Sequence, residues 1–269
     1  MVTITLLSLP LEVRNQVYQN VIFSSSLRPS GPEACRSSHY GITDPCGTSM
    51  GYRCVGYVPA RVIGLPLLLV NKQVNSEVRN LLDSTVRRNQ VIYKLDCIIE
   101  NVGRLFVTPL SLPVVASKIS VFEIDLRFFG DYNLKRGCVA LWGDSLLALL
   151  AMILRRGPNF LCVRDGKSPR NLEVEVMALN FLRVPKAPEW MSSTQLLLCP
   201  GENSCKEREL DLRAVEREID NVLDCRRGLW RENHILYERI RFVKSMADGK
   251  LRRQWDLRAI ANQQPENSE

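Results

Sequence analysis

Ile119-Ser120-Val121-Phe122-Glu123-Ile124-Asp125-Leu126-Arg127-Phe128-Phe129 is the stretch that decides the fold. Its β-branched and aromatic residues, with charges interspersed, predict a strand. Further on, Asp144 to Arg156 has the apolar content of a helix. Asp144 stands where an N-cap belongs, and Gly157-Pro158 is a stop. Asn171 to Val184 predicts another strand, because Leu172, Val174, Val176 and Ala178 alternate with Glu173, Glu175 and Met177. Strand, helix, strand in that order implies a βαβ-like unit in a central mixed sheet, and so an α/β or α+β architecture. Gln90 to Ile99, rich in Val, Ile and Tyr, predicts one more strand ahead of it.

Toward the N-terminus the pattern becomes helical. Pro10 suits a first helical position, since its φ is fixed and its missing N–H is not needed there. Glu12 falls in the first turn, where negative charge favours the helix dipole. Val13, Val17 and Val21 recur at four-residue spacing, with Leu9 leading into the same stripe, and the helix ends near Phe23. A second helix opens at Pro66 with the stripe Leu67, Val70, Val74, Val78 and Leu81. Between them, residues 24–64 carry Pro29, Pro32, Pro45, Pro59 and several glycines without a helical period, which predicts a long surface loop.

Toward the C-terminus, Lys206 to Ile260 is expected to be helical. Leu210, Val215, Ile219, Val222 and Leu223 form one stripe, and Leu236, Ile240, Val243 and Met246 another, broken at Asp248-Gly249. The expected organisation is a helical module over 1–85 with the loop 24–64 inside it, an α/β region over 86–200, a helical region over 201–261 and a disordered tail over 262–269.

The chain has 269 residues, of which 45% are hydrophobic and 24% charged, enough for a sizeable core and ordinary for a globular protein. The opening lacks the basic n-region and cleavage site of a signal peptide. Ser145 to Leu154, the most apolar later stretch, is about half the ~20 residues that span a bilayer. Nine scattered cysteines and the lack of any Asn-x-Ser/Thr acceptor predict free thiols and a cytoplasmic or nuclear setting, with no membrane association.

Chemistry is sparse. His39 and His234 have no Ser or Cys partner in a recognisable motif and are expected to be solvated. Cys35, His39, Cys46 and Cys54 are residue types that bind zinc, but C-x3-H-x6-C-x7-C lacks the tight C-x2-C knuckle, and free thiols are expected instead. No phosphate-cradling glycine motif occurs. Asp125, Glu173 and Glu175 are expected on a solvated sheet face. The expectation is a protein with no catalytic residues, no cofactor and no metal. Between Cys225 and Arg258, ten basic residues against four acidic leave a local +6, nearly all of the net +7. Arg226, Arg227, Arg231, Arg252 and Arg253, with Trp230 and Trp255 among them, therefore define an alternative function: binding nucleic acid or another acidic partner.

The two N-terminal helices carry a further signal. Leu9-Pro10-x-Glu12-Val13-x-x-x-Val17 resembles the start of an F-box. The pairing of Leu-Pro-x-Glu-x-Arg-Asn-x-x-Tyr (Leu9 to Tyr18) with Leu-Leu-x-Val-Asn-Lys-Gln-x-x-x-Glu (Leu67 to Glu77) resembles a set of fungal F-box-like proteins. That resemblance implies docking on the Skp-type adaptor of a cullin–RING ubiquitin ligase, with the α/β region holding a protein substrate. On it, Leu9, Pro10, Val13, Val17, Leu68 and Val70 are the adaptor-facing or module-core positions. Leu-Pro-x-Glu is also simply a good helix start.

Overall fold

The structure is a computed structural model, and it describes residues 5–36, 38–41, 55–58, 66–100, 104–113, 116–129, 138–157, 171–182, 212–223 and 234–262. Helices and a mixed sheet make up the fold. In chain order the elements are α1 (Leu11–Ile22), α2 (Pro32–Arg36), β1 (Tyr40–Gly41), β2 (Val55–Tyr57) and α3 (Lys72–Arg87). Then come β3 (Ile92–Glu100), β4 (Arg104–Ser111), β5 (Lys118–Phe129), α4 (Cys138–Arg156) and β6 (Glu173–Leu182). The chain closes with α5 (Leu212–Leu223), α6 (His234–Arg239), β7 (Ile240–Ala247), β8 (Lys250–Asp256) and α7 (Leu257–Asn262).

Among the described residues the strands form one eight-stranded sheet in the order β1-β2-β4-β3-β5-β6-β7-β8. The centre, β3-β5-β6-β7, is parallel. Antiparallel partners flank it: β4 on β3 and β8 on β7. The β5-α4-β6 unit is the strand-helix-strand that Ile119 to Phe129 led into.

The strands sort their side chains by parity. On one face Tyr93, Leu95, Cys97 and Ile99 of β3 join Phe122, Ile124 and Leu126 of β5 and Leu105 and Val107 of β4. Leu146, Leu150 and Leu154 of α4, Val215 and Ile219 of α5 and Leu236 of α6 pack into the same cluster. The other parity is polar: Lys94, Asp96 and Glu100 of β3 lie beside Glu123, Asp125 and Arg127 of β5. A separate small cluster holds α1 to α3 through Tyr18, Ile22, Val74, Val78 and Leu82.

Several sequence expectations are corrected. Helix α4 begins at Cys138, so Asp144 lies within it and is no N-cap. Gly143 is also inside that helix, and it is buried. Gly157 at φ 76° does end that helix. Strand β4 had no counterpart in the sequence reading. The region 24–64 is not loop throughout, since it supplies α2 and the short strands β1 and β2 at the sheet edge.

The largest correction is at the C-terminus. Ile240 to Asp256 is a β-hairpin rather than helix. Asp248 at φ 48° and Gly249 at φ 79° supply the two left-handed residues that a tight hairpin turn requires. The helical spacing of Ile240, Val243 and Met246 lost to pairing of β7 along β6. No helix among the described residues is long and apolar enough to cross a membrane. The expected tail beyond Asn262 lies outside the described residues.

Candidate docking surface

Helix α1 buries an arginine and a tyrosine, while Glu12, Gln16, Gln19 and Asn20 stay exposed. Arg14, Tyr18 and Ile22 are its buried positions. Their four-residue spacing gives them one face, and Glu77 of α3 meets that face. The Glu77 carboxylate accepts from Arg14 Nε at 3.0 Å and Arg14 Nη2 at 2.6 Å. It accepts also from Tyr18 Oη at 2.8 Å and from Gln73 Nε2 at 3.0 Å. Arg14 Nη1 continues to the carbonyls of Leu9 and Leu7, tying the 3₁₀ turn Leu6–Ser8 to the helix start. The Arg14 hydrogen bonds, supported by those of Gln73 and Tyr18, hold the Glu77 carboxyl down at about 2, against a smaller opposing effect of burial. Burial, then Glu77, pushes the Tyr18 phenol up.

Helix α3 is positioned from its own start. Asn71 caps it, its Oδ1 accepting from the Val74 amide at 2.8 Å. Asn75 Nδ2 donates to the Leu68 carbonyl at 2.5 Å, fixing the preceding 3₁₀ turn Pro66–Leu69. Arg14, Tyr18, Asn71 and Glu77 all belong to the two stretches Leu9 to Tyr18 and Leu67 to Glu77. Arg14, Tyr18 and Glu77 thus add hydrogen bonds to the apolar cluster that joins the two helices.

The valines flank the buried face of α1, each one position before a buried residue. Val13, Val17 and Val21 are 40%, 37% and 39% exposed, and Leu11 is exposed beside them in sequence. Of the two roles that the sequence leaves open for Val13 and Val17, adaptor-facing or module core, the fully buried core positions go instead to Arg14, Tyr18 and Ile22. Pro10 stands exposed at the N-cap and Leu9 is half-buried behind it. On the second motif Leu68 is half-buried against the α1–α3 cluster, whereas Leu69 and Val70 are exposed. In α3 the inward positions are Val74, Val78 and Leu82, with Leu67 and Leu81 partly buried, so Val70 leaves the expected stripe.

A second polar assembly lies on the sheet. Asp125, expected to be solvated, is buried. It receives Arg28 Nη2 and, at 2.8 Å, Asn180 Nδ2. Its neighbour Asp96 is bound by Arg127 through Nε at 2.8 Å and Nη2 at 2.5 Å, and by Arg28 Nε at 3.3 Å. Burial pushes the Asp96 carboxyl up, and the Arg127 and Arg28 contacts oppose it. Both aspartates sit mid-strand among apolar residues, a position that aspartate avoids unless paired. That mismatch is the sequence signal that could have marked them.

The other candidate residues fall out as follows. His39 is half-buried, with Nε2 3.1 Å from Thr108 Oγ1 and its ring edge-on to Phe106. Burial lowers its pKa, which corrects the solvated expectation. Cys35 is buried, and burial raises its thiol to about 11. Cys46 and Cys54 lie outside the described residues, and among those described no group of three His, Cys, Asp or Glu is placed to hold a metal ion. Arg226, Arg227 and Arg231 also lie outside them. Arg252 Nε is 3.8 Å from Glu216, and Arg253 Nη1 donates to Asp220 at 2.7 Å while stacking on Trp255. These two arginines already have acidic partners on α5, and Trp255 is buried. The described part of the basic region is thus partly neutralised. No family model, curated protein or solved structure matches the chain.

Proposed function

We propose that this chain is a non-enzymatic, F-box-like interaction protein. Its helix α1 docks on a Skp-type adaptor, and its α/β body holds a protein substrate for a cullin–RING ubiquitin ligase. The observation that carries the proposal is the partly exposed valine stripe of α1. The buried face contains an arginine and a tyrosine beside Ile22, and Val13, Val17 and Val21, each one position before a buried residue, are partly exposed. A lone exposed valine needs no explanation, whereas a recurring stripe along one helix is the form of a helix-in-groove anchor. Complete burial of such a side chain contributes roughly 1.5–3 kcal/mol, and these are already more than half covered, so about 1 kcal/mol each remains for a partner. The identity of that partner rests on the F-box resemblance of Leu9 to Tyr18 and Leu67 to Glu77.

Co-expression with a Skp-type adaptor followed by size-exclusion chromatography tests this reading. The wild-type chain is expected to co-elute with the adaptor. Val13→Asp, on the exposed stripe, is expected to lose the complex while keeping its circular dichroism spectrum. Separate elution of the wild-type proteins at micromolar concentration would sink the proposal.

A further inference from the structure

Residues 24–36 cross the polar face of the sheet, opposite the helix-packed core. Their anchors are mostly charged. The Ser26 amide donates to the Leu110 carbonyl at 2.6 Å, and Arg127 Nη2 donates to the Pro29 carbonyl at 2.8 Å. Arg28 bridges Asp96 and Asp125. Arg36 Nη2 reaches Glu100 at 2.5 Å. The apolar contribution is small: Cys35 packs with Ile98 and Phe106, with Phe129 alongside, and Leu27 is 94% exposed.

We infer that residues 24–36 are an electrostatic strap over the sheet face that opens as a unit while the rest of the fold stays intact. Two physical arguments support this. First, the Arg28 and Arg36 side chains are 36% and 44% exposed, so water screens their ion pairs and each contributes little to holding the strap down. Second, opening returns buried carboxylates to water, which offsets part of the lost attraction. A segment with few apolar contacts and charged anchors belongs to the low-stability end of a structure. Opening uncovers the buried Asp96, Glu100 and Asp125 with Arg127, so the bared face is acidic. The strap also follows directly from α1, which makes it the covalent link between the docking helix and that face.

The molecule carries its own reporters. Cys35 is buried beneath the strap, and Cys97 is buried in the large core on the opposite face. Pulsed alkylation of the native full chain with N-ethylmaleimide, read by peptide mass spectrometry, separates strap opening from global unfolding. In the wild-type chain Cys35 is expected to react on the order of tenfold or more faster than Cys97. Arg28→Gln, and independently Arg36→Gln, is expected to raise the Cys35 rate several-fold and leave the Cys97 rate unchanged. Equal wild-type rates at the two cysteines would overturn the inference, as would Arg28→Gln and Arg36→Gln variants that both leave Cys35 unchanged. An equal rise at both cysteines would also overturn it, because that is the mark of global destabilisation.

Discussion

Glu77 is the residue on which the N-terminal pair turns, since both of its carboxylate oxygens accept from α1. Its pKa falls from the ordinary 4.5 to about 2. A depressed folded-state value means that the carboxylate stabilises the fold above about pH 4.5, and that this contribution is lost as pH falls toward 2. Glu77→Gln removes the titration. The stability difference between wild type and Glu77→Gln, from urea unfolding, is therefore expected to shrink steadily between pH 4.5 and pH 2. A difference that stays constant over that window would contradict the assignment. At this scale the sequence was half legible. Arg14, Tyr18 and Glu77 stood in the motifs, but a hydropathy pattern places valines inside and arginine outside. It has no means of showing that a glutamate sixty-three residues away in sequence reverses the choice.

Among the elements, strands and helices with strong local patterns were the readable ones. Ile119 to Phe129 and Asn171 to Val184 became β5 and β6 within a few residues, and α1 starts one residue after Pro10, which is its N-cap rather than its first helical residue. The hairpin β7–β8 was hidden because Ile240, Val243 and Met246 continue the helical spacing of Leu236, which does lie in a helix, α6. The clue lay in the turn. Asp-Gly between runs containing Ile, Phe, Val and Trp is a hairpin signal, and the Asp248 and Gly249 φ angles match it. Gly249→Ala tests the turn cleanly, because no neighbouring atom lies within 4 Å of a Cβ built there. The cost is then conformational alone, about 1 kcal/mol in a denaturant titration. No loss of stability would mean that the turn does not need the left-handed residue.

For the whole molecule, the sheet separates two kinds of packing. The helix-covered face is apolar and accounts for the α/β class already evident in the sequence. The strap-covered face depends on buried charge, which no local pattern reveals: Asp96, Asp125, Arg127 and Arg28 come from three distant segments. Asp96→Ala leaves Arg127 buried without its bidentate partner, and is expected to lower global stability by about 3–5 kcal/mol. A loss below about 1 kcal/mol, the range of surface ion pairs, would show that the network is solvated. The exposed stripe of α1 stands apart from both faces, and the functional account rests on it. Isothermal titration of the purified chain with a Skp-type adaptor tests that account most directly, comparing wild type with Val17→Asp. A dissociation constant of about 1 μM or tighter for wild type, weakened about tenfold or more by Val17→Asp at unchanged circular dichroism, is the predicted result. Equal affinities for the two proteins, or no binding by either, would contradict it.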